Sequence, residues 1–122
     1  MTYTKTQLII ALKAQIPQSK EKICRALMLI YDRQTEQEVL KGKTIEDNSV
    51  GFTALDADIL TKMARFYQSK GFLSYKQLNL VKRLIPKYAG QILASSIERG
   101  LIVQVSPRRY KIVDKKRQDV IK

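Results

Sequence analysis

Residues 71–113 read GFLSYKQLNLVKRLIPKYAGQILASSIERGLIVQVSPRRYKIV, and the helix start and stop signals in this stretch decide the fold. Ser74 and Gln77 have the spacing of a capping box, in which two side chains satisfy backbone N–H groups at the start of a helix. They predict a short helix over residues 75–85. Pro86 lacks the N–H that a helix interior needs, so we expect it to end that helix.

A second helix is predicted over residues 87–99, with Gly100 at its end. The spacing of apolar residues then changes. Residues 101–105 and 110–113 are rich in β-branched and aromatic side chains, and the sequence SPRR at 106–109 is a turn signal between them. The stretch therefore predicts two helices followed by a β-hairpin.

Two helices are also predicted at the start of the chain. Residues 4–16 carry apolar side chains at helical spacing, and Pro17 ends this helix. Ser19 is a candidate N-cap for a long second helix that runs to about Lys41. Cys24 lies on its apolar side, where we expect a small core residue. A lone cysteine forms no internal disulfide, which suits a reducing compartment.

A third helix is predicted after a loop over residues 42–52, where turn-forming residues cluster. Thr53 and Asp56 resemble a capping box, so we expect the helix to start there. Its predicted apolar face consists of Leu55, Ile59, Leu60, Met63 and Phe66.

The order helix, short helix, proline turn, helix, glycine and hairpin resembles a winged helix-turn-helix domain over residues 55–113. The resemblance is carried by FLS before the short helix, ERGLI after the next one, and Tyr110 at the start of the return strand. It implies a mainly α, nucleic-acid-binding domain with the hairpin as a wing. We therefore predict a winged-helix-like domain over 51–113, a two-helix extension over 1–50 and a basic, mobile tail over 114–122, packed as one unit.

The charge of the chain is strongly positive and unevenly distributed. It has 23 Lys and Arg against 11 Asp and Glu, a formal net charge of +12. Residues 1–50 hold eight basic and six acidic residues, a net of +2, whereas residues 51–122 hold fifteen and five, a net of +10. Such asymmetry indicates a polyanionic partner for the second half, most often nucleic acid. The alternatives are an acidic protein partner and a basic surface that is merely solvated.

The composition excludes several function classes. With no His and one Cys, the chain has no Cys/His zinc site, no Ser-His-Asp triad and no Cys-His pair. No glycine-rich phosphate loop is present either, so we expect no catalytic residues, no metal site and no cofactor. The apolar run from Leu8 to Leu12 is too short for a signal peptide or a membrane span. We therefore expect a cytoplasmic protein without membrane contact.

The candidate nucleic-acid contacts are basic or polar side chains on the predicted hairpin, the two helices before it and the tail. They are Lys76, Lys82, Arg83, Lys87, Gln91, Ser95, Arg108, Arg109, Lys111, Lys115, Lys116 and Arg117. The cations contact phosphate without choosing a sequence, whereas Gln91 can read a base edge and Ser95 can reach a phosphate. Duplex DNA is the expected partner, with RNA as the alternative.

Helical spacing predicts the two faces of the helix over residues 87–99. Its inward face consists of Ala89, Ile92, Leu93 and Ile97. Its outward face consists of Lys87, Gln91, Ala94, Ser95 and Glu98. Because the carboxylate of Glu98 repels phosphate, this outward face is weakly equipped for reading bases.

Two other groups have alternative interpretations. Tyr67, Tyr75 and Tyr88 lie among basic residues, and they either stack on bases or are half-buried at helix edges. A polar cluster either contacts a partner or is the solvated end of the long second helix. It consists of Arg33, Gln34, Thr35 and Glu38.

A second resemblance covers residues 29–93. LIYDRQTEQE, DNSVGFTALDADILTKMARFY and LSYKQLNLVKRLIPKYAGQIL are similar to a recurring pattern in small proteins of phages, plasmids and bacterial genomes. This second resemblance implies a phage or mobile-element context and carries no activity of its own. Together with the winged-helix resemblance and the positive charge, it leads us to expect a phage or mobile-element regulator that binds nucleic acid without catalysis. The alternatives are an anti-defence inhibitor of a host effector protein, such as an anti-CRISPR protein, and a small subunit of a ribonucleoprotein. The apolar residues of the first helix are buried either in a homodimer interface or in the chain's own core. They are Leu8, Ile9, Leu12 and Ile16.

Overall fold

A computed structural model describes residues 1–41 and 51–113, and the side chains of all these residues except 36–41. This part of the chain is mainly helical with one small antiparallel hairpin, as the sequence predicts. The elements are α1 (Lys5–Gln15), α2 (Lys20–Lys41), α3 (Ala57–Lys70), α4 (Tyr75–Leu84), α5 (Ala89–Glu98), β1 (Ile102–Ser106) and β2 (Arg109–Ile112). Short 3-10 turns over Ile16–Gln18 and Ile85–Tyr88 follow α1 and α4.

Local sequence signals start three of the helices. In the capping box of α4, the Ser74 hydroxyl accepts from the Gln77 N–H at 3.2 Å, and the Gln77 side chain accepts from the Ser74 N–H at 2.8 Å. This confirms the predicted box. Thr4 and Gln7 form the same arrangement before α1. Ser19 caps α2 as predicted, because its hydroxyl accepts a backbone N–H in the first turn.

The start of α3 differs from the prediction. The Thr53 hydroxyl accepts from the Asp56 N–H at 3.4 Å, but the Asp56 side chain makes no capping hydrogen bond to the helix. It is buried instead, with 5% of the residue exposed. The predicted capping box is therefore wrong in its second half, because Asp56 has partners elsewhere in the fold.

The apolar face predicted for α3 is also wrong in part. Leu55 precedes the helix and is 87% exposed, and Ile59 is 38% exposed. Leu60 and Ala64, one turn apart, are fully buried. Leu55 lies outside the helix because α3 begins at Ala57, later than the sequence suggested, and within the helix Leu60 and Ala64, not Ile59, define the buried face. Met63 and Phe66 are partly buried.

The buried apolar side chains form one core that all five helices and β1 share. α1 packs against α5, and α2 packs against α3, α4 and α5. Leu8, Leu12 and Ile16 are buried in this core and Ile9 packs partly against it, so these residues serve the chain's own core. Cys24 is buried as predicted, and burial raises the pKa of its thiol.

The hairpin is attached to the start of the chain. β1 pairs antiparallel with β2, and the register shifts between Gln104 and Ser106, so Val105 is an extra residue on β1. Tyr3 and Tyr110 exchange two backbone hydrogen bonds of 2.8 Å each. The Tyr3 backbone therefore extends the small sheet beyond β2.

Parts of the predicted loop and the whole predicted tail, residues 42–50 and 114–122, lie outside the described residues. Within residues 1–41 and 51–113, the helices are too short or too polar to cross a membrane.

Candidate nucleic-acid interface

The hairpin ends in a basic tip, which we define as Arg108, Arg109 and Lys111. All three side chains are exposed. An exposed side-chain hydrogen bond spans the turn between the strands, because the Gln104 side-chain amide donates to the Pro107 carbonyl at 3.1 Å. The hairpin thus presents the two arginines at its turn and Lys111 two positions further along β2.

The hairpin is anchored on the core below this tip. Ile102 on β1 is 1% exposed, and Tyr110 and Ile112 on β2 pack partly against the core. Lys115, Lys116 and Arg117, which we also predicted as contacts, lie outside the described residues.

A second basic surface lies on α4, and we call Lys76, Asn79, Lys82 and Arg83 the α4 stripe. The four side chains are exposed and recur at helical spacing, so they share one face. The opposite side is apolar and includes the fully buried Val81. The structure thus brings together three of the predicted nucleic-acid contacts, Lys76, Lys82 and Arg83.

The predicted outward face of α5 is covered only in part: Lys87 and Glu98 are exposed, Gln91 and Ala94 are half-buried, and Ser95 is buried. Ser95 is only 7% exposed, so the prediction that it faces outward is wrong. Gln91 is committed within the protein, because its amide donates to the Gly51 carbonyl and accepts from the Gly51 N–H, each at 2.8 Å. Ala89, Ile92 and Leu93 are buried as predicted, and Ile97 is partly buried.

The two charged residues predicted on this face are paired within the protein. The Glu98 carboxylate lies 3.0 Å from a guanidinium nitrogen of Arg33 on α2. The Lys87 ammonium, which is displaced into the 3-10 turn before α5, lies 2.6 Å from Asp56 Oδ2. These contacts leave α5 with little to offer a groove of DNA.

Asp56, Tyr88 and Lys87 form a polar network beside the core. The Tyr88 hydroxyl donates to Asp56 Oδ2 at 2.7 Å and accepts from the Thr53 N–H at 3.0 Å. Burial alone would raise the pKa of Asp56, but the hydrogen bonds from Lys87 and Tyr88 outweigh it and hold that pKa below its ordinary value. Asp56 in turn raises the pKa of Lys87, whereas burial raises the pKa of Tyr88.

This network settles the position of Tyr88. The residue is 3% exposed, so its ring has no face free for a base, and the stacking interpretation is wrong for Tyr88. Tyr75 is 79% exposed, and Tyr67 is partly buried.

The polar cluster at the end of α2 holds neighbouring segments in place. Gln34 accepts from the Phe52 N–H at 3.0 Å, and Arg33 pairs with Glu98 as described above. The interpretation as a solvated helix end is therefore wrong for these two residues, because residues 51–52 and α5 lie against them. Thr35 is exposed and donates to the Tyr31 carbonyl, while the Glu38 side chain lies outside the described part of the chain.

Three residues that we did not predict as contacts, Lys62, Lys70 and Phe72, are exposed on α3 and on the turn to α4. A signal for them exists in the sequence. Residues 59–97 contain seven Lys and Arg and no Asp or Glu, and among these cations Lys87 pairs with Asp56 outside the run. This acid-free run covers most of α3 as well as α4, so the excess of cations in the sequence extends to both helices.

Among the described residues, no group of three or more His, Cys, Asp or Glu side chains lies together in a way that could hold a metal ion. No protein-family model, curated protein or solved structure matches the chain.

Proposed function

We propose that the chain is a nucleic-acid-binding protein that contacts the phosphate backbone and catalyses no reaction. The contacts are made by the hairpin tip and by the α4 stripe. Lysine and arginine side chains on such surfaces release the counterions condensed on the phosphates, so they supply affinity without a choice of sequence.

The observation that carries the proposal is the alignment of Lys76, Lys82 and Arg83 on one exposed face of α4. This face belongs to the acid-free run over residues 59–97, so no neighbour along the chain cancels its charge. The exposed arginines of the hairpin tip give a second surface of the same sign. The alternative hypothesis, that the basic surface is merely solvated, does not predict that cations are separated from carboxylates in this way.

The proposal includes a winged-helix-like arrangement of α3, α4, α5 and the hairpin. The order of these elements supports this arrangement. The antiparallel bridge between Tyr3 and Tyr110 of β2 also supports it, because it adds a third backbone segment beside the two strands of the hairpin. We do not assign α5 to a groove, because Ser95 is buried and Gln91 bonds to Gly51. Because α5 makes no base contacts in this proposal, we expect the affinity to depend on the phosphate charge of the nucleic acid and not on its base sequence.

Fluorescence anisotropy of the full chain with labelled duplex DNA, single-stranded DNA and structured RNA at two salt concentrations tests the proposal. Duplex DNA is the first form to test and RNA is the alternative. The variants Arg108→Ala/Arg109→Ala and Lys76→Ala/Lys82→Ala/Arg83→Ala should each weaken binding to every sequence. Each cation that binds a phosphate in the complex contributes about 1 to the slope of log affinity against log salt. Its replacement by alanine should therefore reduce that slope by about 1.

A matched control is Lys13→Ala/Lys20→Ala, which removes exposed lysines of α1 and α2 outside both surfaces. This variant should keep the salt slope of the unaltered chain. If the two surface variants behave like this control, the assigned surfaces are wrong. If the unaltered chain binds none of the three polymers, the function itself is wrong and a protein partner replaces it.

A further inference from the structure

The turn between α3 and α4 presents two aromatic side chains to solvent. Gly71 ends α3 with φ at +82°, a left-handed conformation that favours glycine, and Ser74 caps α4. Between them, Leu73 packs partly against the core. Phe72 and Tyr75 instead are 57% and 79% exposed. We call Phe72 and Tyr75 the aromatic corner.

Phe72 is oriented although it is exposed. Its ring packs edge-to-face with the ring of Phe66, with the centroids 5.9 Å apart and an angle of 86° between the planes. Phe66 is itself partly buried on α3. A side chain that is already held in one orientation loses less conformational freedom on binding.

Two lysines flank the aromatic corner along the chain. Lys70 ends α3 and Lys76 follows Tyr75 in the first turn of α4, and both are exposed. The corner lies inside the acid-free run over residues 59–97. Exposed flat rings between cations complement a polyanion that carries flat rings of its own, which is the chemistry of a nucleic acid with unpaired bases.

We propose that Phe72 and Tyr75 stack on unpaired bases of a single-stranded nucleic acid whose phosphates are held by the α4 stripe. This inference rests on the proposed function and names the form of nucleic acid that this part of the surface binds. Bases within a duplex are stacked on each other, so only unpaired bases offer a face to these rings. Because every base has such a face, the contact tolerates any sequence.

Tyr75 of the aromatic corner belongs to α4 and lies on the same helix face as the α4 stripe. Tyr75 lies seven and eight positions before Lys82 and Arg83, a spacing that puts all three on one helix face. At 1.5 Å per residue, about 10–12 Å along the helix axis separates the ring from these cations. A strand with one base on the aromatic corner therefore passes its phosphates along the stripe.

A tryptophan reporter tests the stacking, because the chain contains no tryptophan of its own. Phe72→Trp places a stacking ring at the corner, and Leu55→Trp places a control ring at an 87% exposed position before α3. Each variant is titrated with a single-stranded oligothymidylate and with an abasic oligonucleotide of the same length and charge. We expect oligothymidylate to quench the fluorescence of Phe72→Trp strongly, the abasic strand to quench it weakly, and neither to affect Leu55→Trp.

Affinity gives an independent measurement. Phe72→Ala and Tyr75→Ala should each weaken oligothymidylate binding by about five- to 150-fold, the range that corresponds to 1–3 kcal/mol for one stacked base. Both should leave the affinity for the abasic strand and for duplex DNA unchanged. Circular dichroism checks that each variant is folded, and Phe72→Trp decides the case if an alanine variant does not fold.

The outcomes separate this inference from the proposed function. If the chain binds oligothymidylate and the abasic strand equally well, and Phe72→Trp is not quenched, the stacking is wrong. The proposed function then still stands, provided that Lys76→Ala/Lys82→Ala/Arg83→Ala weakens duplex binding. If the unaltered chain binds no nucleic acid at all, both proposals are overturned.

Discussion

The carboxylate of Asp56 is buried, yet it remains charged because Lys87 and Tyr88 both bond to its Oδ2. A buried charge without partners costs several kcal/mol, so the two contacts explain how α3 can begin beside the core. They also fasten the residues that precede α3 to the 3-10 turn that precedes α5.

We predict that Asp56→Asn lowers the free energy of unfolding at pH 7 by about 1.5–3 kcal/mol, the range for hydrogen bonds to charged groups. Urea unfolding at several pH values measures this loss. Since the pKa of Asp56 is lowered in the folded chain, its contribution is full above its ordinary pKa. The contribution disappears as the pH falls from that ordinary value through the lowered one, so the variant and the unaltered chain should converge in acid.

The control for this prediction is Asp58→Asn, which changes an exposed carboxylate on the same helix. It should change the free energy of unfolding by no more than about 0.5 kcal/mol. Equal losses for Asp56→Asn and Asp58→Asn would contradict the role of the Asp56 network.

For single residues, the sequence predicts a contact correctly when the two partners are close along the chain. Ser74 finds Gln77 three positions away, and Cys24 follows the apolar stripe of its own helix. Asp56 could not be predicted in the same way, because its partner Tyr88 lies 32 residues further along. The local spacing of a capping box carries no information about such a distant and stronger contact.

Among the connections between elements, residues 51–53 before α3 are held from three sides. Gln91 of α5 bonds both backbone groups of Gly51, Gln34 of α2 accepts from the Phe52 N–H, and Tyr88 accepts from the Thr53 N–H. Gly51 has φ at +92°, and a Cβ there would lie 2.6 Å from the Cβ of Gln34. Glycine is therefore required by both the backbone conformation and the close approach of α2.

We predict that Gly51→Ala destabilises the fold by about 2–4 kcal/mol, since strain and overpacking each cost about 1–3 kcal/mol. Gly71→Ala is the matched control, because φ is +82° there but the space around its Cβ is open. That variant should lose only about 1 kcal/mol. Thermal or urea unfolding of the two variants side by side measures the difference, and equal losses would contradict the close approach.

For whole elements, periodicity predicts which helix faces are apolar but not what covers their polar faces. The inward residues Ala89, Ile92 and Leu93 of α5 follow from spacing alone. The burial of Ser95 and the engagement of Gln91 do not, because they depend on α1, α2 and residues 51–53 packing around α5. The exposure of the predicted contacts on α4 and the hairpin was therefore predictable, whereas the predicted exposure of Ser95 on α5 was wrong.

Across the whole molecule, a net charge of +12 on 122 residues implies self-repulsion in the folded state. Two like charges 10 Å apart in water repel by about 0.4 kcal/mol. The screening length falls from about 30 Å at 0.01 M salt to about 8 Å at 0.15 M, so salt removes much of this repulsion.

We therefore predict that added sodium chloride stabilises the chain at pH 7, by on the order of 1 kcal/mol over this range. Urea unfolding at fixed pH and rising salt measures the effect. Lys13→Glu/Lys20→Glu, which reduces the net charge at exposed positions, should respond less to salt. A loss of stability with salt would instead mean that the attractive pairs Arg33–Glu98 and Lys87–Asp56 outweigh the repulsion.

The packing of α1 against α5 also sets an order of events during synthesis on the ribosome. α1 is made first, but its apolar residues Leu8 and Leu12 find their places only when α5 has emerged. At translation rates of roughly 5–20 residues per second, this delay is on the order of ten seconds. The backbone hydrogen bonds between Tyr3 and Tyr110 form later than the packing of α1 on α5, because Tyr110 follows α5 in the chain. The nascent chain thus exposes α1 to chaperones until α5 has emerged, and the fold closes only after β2 has followed.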